Sequence, residues 1–156
     1  MKTGLAAALS FVAIAGCSVA LAQDVARLAT RADVEKATGL KFKDPSYPMK
    51  TQAMFVQDGG DVQLSVSVEP REAGQTVRSW EATTKKMRPD QKVETVPGIG
   101  KDAIFISTRP DMGALWADFD APRVQLNVGV ALARDAAQAK QYAVAIGKAV
   151  GPKIGK

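Results

Sequence analysis

The side chains able to do chemistry in this 156-residue chain are carboxylates, lysines and one cysteine, because it contains no histidine. Without imidazole there is no Ser-His-Asp or Cys-His nucleophile system and no histidine general base. The common zinc and copper sites, which depend on His or Cys, are removed as well. What remains is carboxylate chemistry. Asp118 and Asp120 lie two apart on a predicted strand and so share a face, and Asp58 and Asp61 bracket a predicted hairpin turn. Together the four could offer oxygen ligands to calcium, or a carboxylate pair for acid-base work. The spacing demands neither, and acids at a strand edge that block sheet-to-sheet pairing are the preferred explanation.

Gly98-Ile99-Gly100-Lys101 holds glycine amides and a lysine able to cradle an oxyanion. It lacks the full phosphate-loop spacing and the Ser or Thr after the lysine, and it leads into a strand rather than a helix. A structural turn is preferred, leaving Lys101 as a weak ligand candidate. Lys85, Lys86, Arg88 and Lys92, and the tail lysines Lys140, Lys148, Lys153 and Lys156, could face an anionic surface. No aromatic platform interleaves with them to suit nucleic acid. Cations in the last turn of a helix also complement its dipole. No catalytic residue, metal or cofactor is expected.

The elements that would position these groups begin with a leader. Lys2 supplies a basic start, and Leu5 to Ala15 is an apolar run too short to span a bilayer as a mature helix. Residues 1–22 read as a signal peptide with Ala20-Leu21-Ala22 before the cleavage point. Ile14-Ala15-Gly16-Cys17 competes as a lipoprotein box, in which Cys17 would be lipidated. The apolar Val19-Ala20-Leu21 that follows favours ordinary cleavage. Either route carries the domain out of the cytoplasm, to the bacterial periplasm or, through Cys17, to a membrane anchor. Cleavage after Ala22 removes Lys2 alone among the charges, taking the net charge from +5 to +4, and removes the only cysteine.

Residues 23–156 then form a single domain by length. Thr30, as N-cap with Asp33 three residues on, starts a helix that Gly39 stops. Leu40 to Pro48 reads as a surface connector, with Lys41, Lys43, Tyr47 and Lys50 around it. Strands at 51–57 and 61–69 flank Asp58-Gly59-Gly60. In the second, Val62, Leu64, Val66 and Val68 point one way and Gln63, Ser65, Ser67 and Glu69 the other, so one sheet face is buried and its reverse is wet or thinly covered. A helix at about 75–88 carries Val77, Trp80, Thr84 and Met87 on one stripe, which favours a core place for Trp80 over a binding role for its indole. A strand through Ser107, strands at 114–120 and 123–131, and a helix from the N-cap Asp135 to about Val150 complete the chain. Ala139, Tyr142, Ala143, Ile146 and Val150 form the inner face of that last helix.

Val62-Gln63-Leu64-Ser65-Val66-Ser67-Val68 matches Val124-Gln125-Leu126-Asn127-Val128-Gly129-Val130 at five of seven positions. At the same offset Trp80 aligns with Tyr142 and Thr84 with Ile146, which suggests a duplicated β-β-α unit. The expected fold is α+β, an antiparallel sheet of about five to six strands with helices packed mainly on one face.

Leu28-Ala29-Thr30-Arg31-Ala32-Asp33-Val34 with Ala37-Thr38-Gly39, and Val96-Pro97-Gly98-Ile99-Gly100-Lys101-Asp102-Ala103 before a valine-rich strand and an Ala-rich helix, resemble the DUF3558-type family of small exported proteins and lipoproteins. Lys101 stands where that family's turn usually has an acid, and the cysteine expected in the first hairpin is missing. The resemblance implies an α+β fold similar to the Mog1/PsbP group and brings no catalytic residues.

These readings point to an exported, non-catalytic binding protein whose partner is another envelope or secreted protein; an immunity or inhibitor protein would be one form. The alternatives are a carboxylate-based envelope hydrolase, which needs two carboxylates converging in one concavity, and a structural lipoprotein anchored through Cys17. Nucleic acid is not expected as a partner, and membrane only through lipidation.

Overall fold

A computed structural model describes residues 23–156; the expected leader, its cleavage point and Cys17 lie outside the described residues. The elements in order are α1 (Val25–Leu28), α2 (Arg31–Thr38), β1 (Ser46–Met49), β2 (Gln52–Val56), β3 (Gln63–Pro70), α3 (Val77–Met87), β4 (Lys92–Thr95), β5 (Asp102–Arg109), β6 (Met112–Asp120), β7 (Arg123–Ala131), α4 (Ala136–Val150) and a 3-10 turn, Gly151–Lys153. The fold is α+β. Its strands make one antiparallel sheet in the order β1-β2-β3-β7-β6-β5-β4. Seven strands exceed the expected five to six because short β1 and β4 flank the sheet. Neither shows a buried alternating face, and β1 is exposed throughout and carries Pro48, which an edge strand tolerates.

Alternation sorts the two faces. Leu64, Val66 and Val68 of β3 and Val124, Leu126, Val128 and Val130 of β7 are buried on one side with Phe55, Phe105, Leu115 and Ala117. Over them lies α4, presenting Ala139, Tyr142, Ala143, Ile146 and Val150, with Val25, Leu28 and Val34 of α1 and α2 closing the same core. Each such aliphatic side chain contributes about 1.5–3 kcal/mol on burial. α4 approaches closely because residue 147 is glycine: a Cβ there would stand 2.4 Å from Leu115 Cδ2 and 2.9 Å from Ile99 Cδ1.

Helix α3 lies on the reverse face. Its Val77 joins Ile104 and Ile106 in a small second core, with Val93 and Trp116 packed against it. α3 packs chiefly on β4, β5 and β6. Among the described residues the reverse side of β2, β3 and β7 is left largely open, as the alternation of β3 predicts; three helices share one face and α3 lies on the other.

The internal repeat has a geometric counterpart. Val66 and Val128 occupy equivalent repeat positions and stand directly opposite each other on β3 and β7. A local two-fold axis through this pair exchanges hairpin β2-β3 with hairpin β6-β7. The helices that follow do not obey it, since α4 and α3 pack on opposite faces. Tyr142 is buried in the main core, whereas its counterpart Trp80 is 44% exposed. The expectation that Trp80 is a core residue is therefore corrected: it stacks on Trp116, with ring centroids 5.7 Å apart and an interplanar angle of 22°. Met87, expected on the same inner stripe, is exposed.

Candidate functional site

The four candidate aspartates do not come together. Asp58 and Asp61 sit beside the start of β3, where Gln63 pairs with Ala131. Asp118 and Asp120 end β6, where Asp120 pairs with Arg123 at the start of β7. The length of a strand, about 25 Å at 3.3 Å per residue, separates the two pairs. Among the described residues no group of three His, Cys, Asp or Glu side chains is placed to hold a metal ion.

Asp118 and Asp120 do share a face, and the structure uses both. Asp118 is only 2% exposed. Its Oδ2 accepts the backbone N–H of Val77 at 2.9 Å, and its Oδ1 accepts from Gln125 Nε2 at 3.0 Å. The side chain of Arg71, 9% exposed, runs between the two acids: Nε lies 3.6 Å from Asp118 Oδ1, and a terminal nitrogen donates to Asp120 Oδ1 at 2.7 Å and to the Phe119 carbonyl at 3.3 Å. Lys101 completes the group by donating to Asp120 Oδ2 at 2.8 Å. That hydrogen bond first, and the nearby Arg71 charge after it, hold the Asp120 carboxyl below the ordinary aspartate range; the same contact with Asp120 raises the Lys101 ammonium. These carboxylates fasten α3 and the turn before β5 to the end of β6. Arg71 escaped sequence reading because its acidic partners lie 47 and 49 residues away and no local pattern marks it.

The Gly98–Lys101 segment is a turn. Gly100 has φ +58°, and a Cβ there would meet the Asp118 carbonyl oxygen at 2.3 Å. That oxygen accepts the amide of Lys101 at 2.8 Å, so the amide already has its acceptor within the protein. The other candidate cations are partly committed too. Lys85 donates to Glu81 at 2.7 Å, Lys140 donates to Glu94 at 2.8 Å with Lys92 3.4 Å away, and Lys153 pairs with Asp33.

Three of the concavities lie on the side of the sheet that receives α3, and another, of about 440 Å³, lies beside α2 at Glu35, Lys36 and Lys41. Opposed residues run in rows across the open sheet face: Met54, Ser65, Gly129 and Ala114 form one, and Gln52, Ser67, Asn127 and Trp116 the next. Small side chains in the first row sink a groove of about 310 Å³, lined mainly by apolar surface and bordered by Met54 and Met112. Where the second row meets α3, a polar cavity of about 190 Å³ is lined by Ser67, Glu69, Arg71, Gln125, Asn127 and the Trp80/Trp116 pair. A third hollow, about 600 Å³, lies between α3 and the β5-β6 hairpin and includes Trp80, Met87, Arg88, Arg109 and Met112.

The methionines and tryptophans are strongly segregated. Met54, Met112 and Trp116 fall on the reverse side of the strand alternation, Met49 pairs with Gln52 of that side, and Trp80 and Met87 are on α3, which packs there. These are both tryptophans of the chain and every methionine but Met1. None belongs to the main core. Sequence reading had found the thin covering of this face but not that methionine and tryptophan collect on it.

Comparisons with protein-family models, with curated proteins and with solved structures give no match.

Proposed function

We propose that this chain is an exported, non-catalytic binding protein that holds another envelope or secreted protein against the open half of its sheet. The observation that carries the reading is the gathering of Met49, Met54, Met87, Met112, Trp80 and Trp116 on one face while the main core has neither residue type. Methionine is flexible and polarisable, and it suits a surface that must adapt to a partner. Tryptophan supplies large contact area at low entropic cost and is enriched at binding hot spots. The Ser65-Gly129-Ala114 groove between Met54 and Met112 gives one apolar partner side chain a seat.

A hydrolase is the weaker reading. Asp118 and Asp120 are committed to Arg71, Lys101, Gln125 and the Val77 amide, which leaves no second free carboxylate beside Glu69 in the polar cavity.

The test is capture from envelope extracts with the natively exported, tagged chain, followed by titration of the purified captured protein. Met54→Glu combined with Met87→Glu should abolish the complex, while Lys148→Glu on α4 should leave it intact. Retention of the complex by the face variant, or its loss only in the α4 variant, would overturn the assignment of this surface. Intact-mass analysis of the same preparation reads the amino terminus: a chain beginning at Gln23 supports soluble release, and a lipidated Cys17 would replace it with an anchored form.

A further inference from the structure

The polar cavity beside α3 is built from different groups than the methionine groove, and its chemistry asks for a different occupant. On its floor Ser67 stands opposite Asn127, and Glu69 opposite Gln125. Gln125 spends its Nε2 on Asp118, and Asn127 directs its Nδ2 to the Leu115 carbonyl at 3.3 Å. Both amides are thereby oriented with a carbonyl oxygen left to accept. The Ser67 hydroxyl and the Glu69 carboxylate add a group that both donates and accepts and one that only accepts. The Arg71 guanidinium also lines the cavity, but its charge is compensated by Asp118 and Asp120. Glu69 therefore sets the sign of the cavity and disfavours an anionic occupant.

One wall is flat and apolar. Trp80 is backed by Trp116 in a stack, and nearly half of Trp80 stays open. An occupant that satisfies this wall and this floor together has hydroxyls along its edge, which can donate to Glu69, Gln125 and Asn127 and accept from Ser67, and a face of C–H groups to lie on an indole. It is also small, because about 190 Å³ falls below the ~300 Å³ at which drug-sized sites begin. We propose that this cavity is a binding site for a single pyranose ring of a neutral sugar, the free monosaccharide or one residue of a glycan. The site shares the Trp80/Trp116 pair with the proposed docking surface, but it is argued from its polar floor and not from the methionines.

Trp80 and Trp116 are the chain's only tryptophans, so intrinsic fluorescence reports on this cavity directly. The full exported protein is titrated with D-glucose, D-galactose, N-acetylglucosamine and D-glucuronate through the millimolar range. At least one neutral sugar should give a saturable change with a millimolar Kd, and glucuronate should give none. Asn127→Ala and Glu69→Ala should each weaken that binding about tenfold, the equivalent of about 1.4 kcal/mol, with circular dichroism showing the fold retained. Glu69→Gln should admit glucuronate. The proposal is overturned if none of the three neutral sugars gives a saturable change, if glucuronate binds as well as they do, or if Asn127→Ala leaves binding unchanged. Loss of partner capture in the methionine variants with sugar binding intact separates this site from the docking surface.

Discussion

The buried carboxylate of Asp118 accepts the first backbone N–H of α3, that of Val77, at 2.9 Å. Through this bond a side chain near the end of β6 sets where α3 begins, and with it where Trp80 meets Trp116. The start of a helix leaves amides without intrahelical partners. Thr76 caps the Ser79 amide, and Asp118 satisfies the one at Val77. Asp118→Ala leaves that amide and Gln125 Nε2 without their acceptor and removes one of the two carboxylates beside the Arg71 guanidinium. A stability loss of about 1–3 kcal/mol is expected, read as a lower thermal midpoint, together with a changed tryptophan emission because the indole stack is released. Asp118→Asn keeps an acceptor and should fall between the two.

Close packing of α4 on the sheet depends on Gly147. Gly147→Val places branched atoms where Leu115 Cδ2 already stands 2.4 Å from the position of a first carbon. Overpacking of this kind costs about 1–3 kcal/mol, and denaturant unfolding should show a lower midpoint with an unchanged slope. An unaltered midpoint would mean that α4 sits farther from β6.

Helix α2 is tied to the turn that follows α4 through Asp33, which shares a capping box with Thr30 and pairs with Lys153. Burial pushes its carboxyl up, but the hydrogen bonds from Lys153 and Thr30 outweigh this and hold it below the ordinary range. A carboxyl depressed in the folded state stabilises above its unfolded pKa, and that contribution is lost as pH falls through the folded value. Asp33→Asn should therefore cost about 1 kcal/mol at neutral pH, and the gap to the parent should close below about pH 4. Thermal midpoints of the two proteins measured from pH 7 down to pH 2 check this. Curves that stay parallel throughout would exclude a charge contribution from Asp33.

Local rules explain what could be read from the sequence. β7 and α4 have the expected bounds because Val124 to Val130 alternate without interruption and Asp135 accepts the Gln138 amide as an N-cap should. Strand alternation likewise predicts that Ser65, Ser67 and Asn127 face away from the main core. β1 and β4 escape because edge strands with little buried surface need no apolar period. The side of the sheet that receives α3 is equally illegible, since the chain between Pro70 and Val77 can turn either way and the deciding contacts, Asp118 to Val77 and Arg71 to Asp120, span 41 and 49 residues. The open groove follows from that choice of side, and its methionines become a surface only after the strands are paired.

The two-fold relation through Val66 and Val128 allows one further test, because equivalent repeat positions have acquired different roles. Tyr142 is buried on the inner face of α4, and its replacement by Ala should cost about 3–5 kcal/mol, as for other large aromatics in a core. Trp80 occupies the matching position but touches the sheet chiefly through Trp116. Trp80→Ala should cost about 0.5–1.5 kcal/mol for the lost stack plus a modest area term, well short of the Tyr142→Ala value. Urea unfolding of the two variants beside the parent measures both. Comparable losses would place Trp80 in a load-carrying core after all and remove it from the binding surface. The expected inequality would leave its indole free to serve a ligand, because a residue whose loss the fold tolerates can be kept for what it contacts outside the fold.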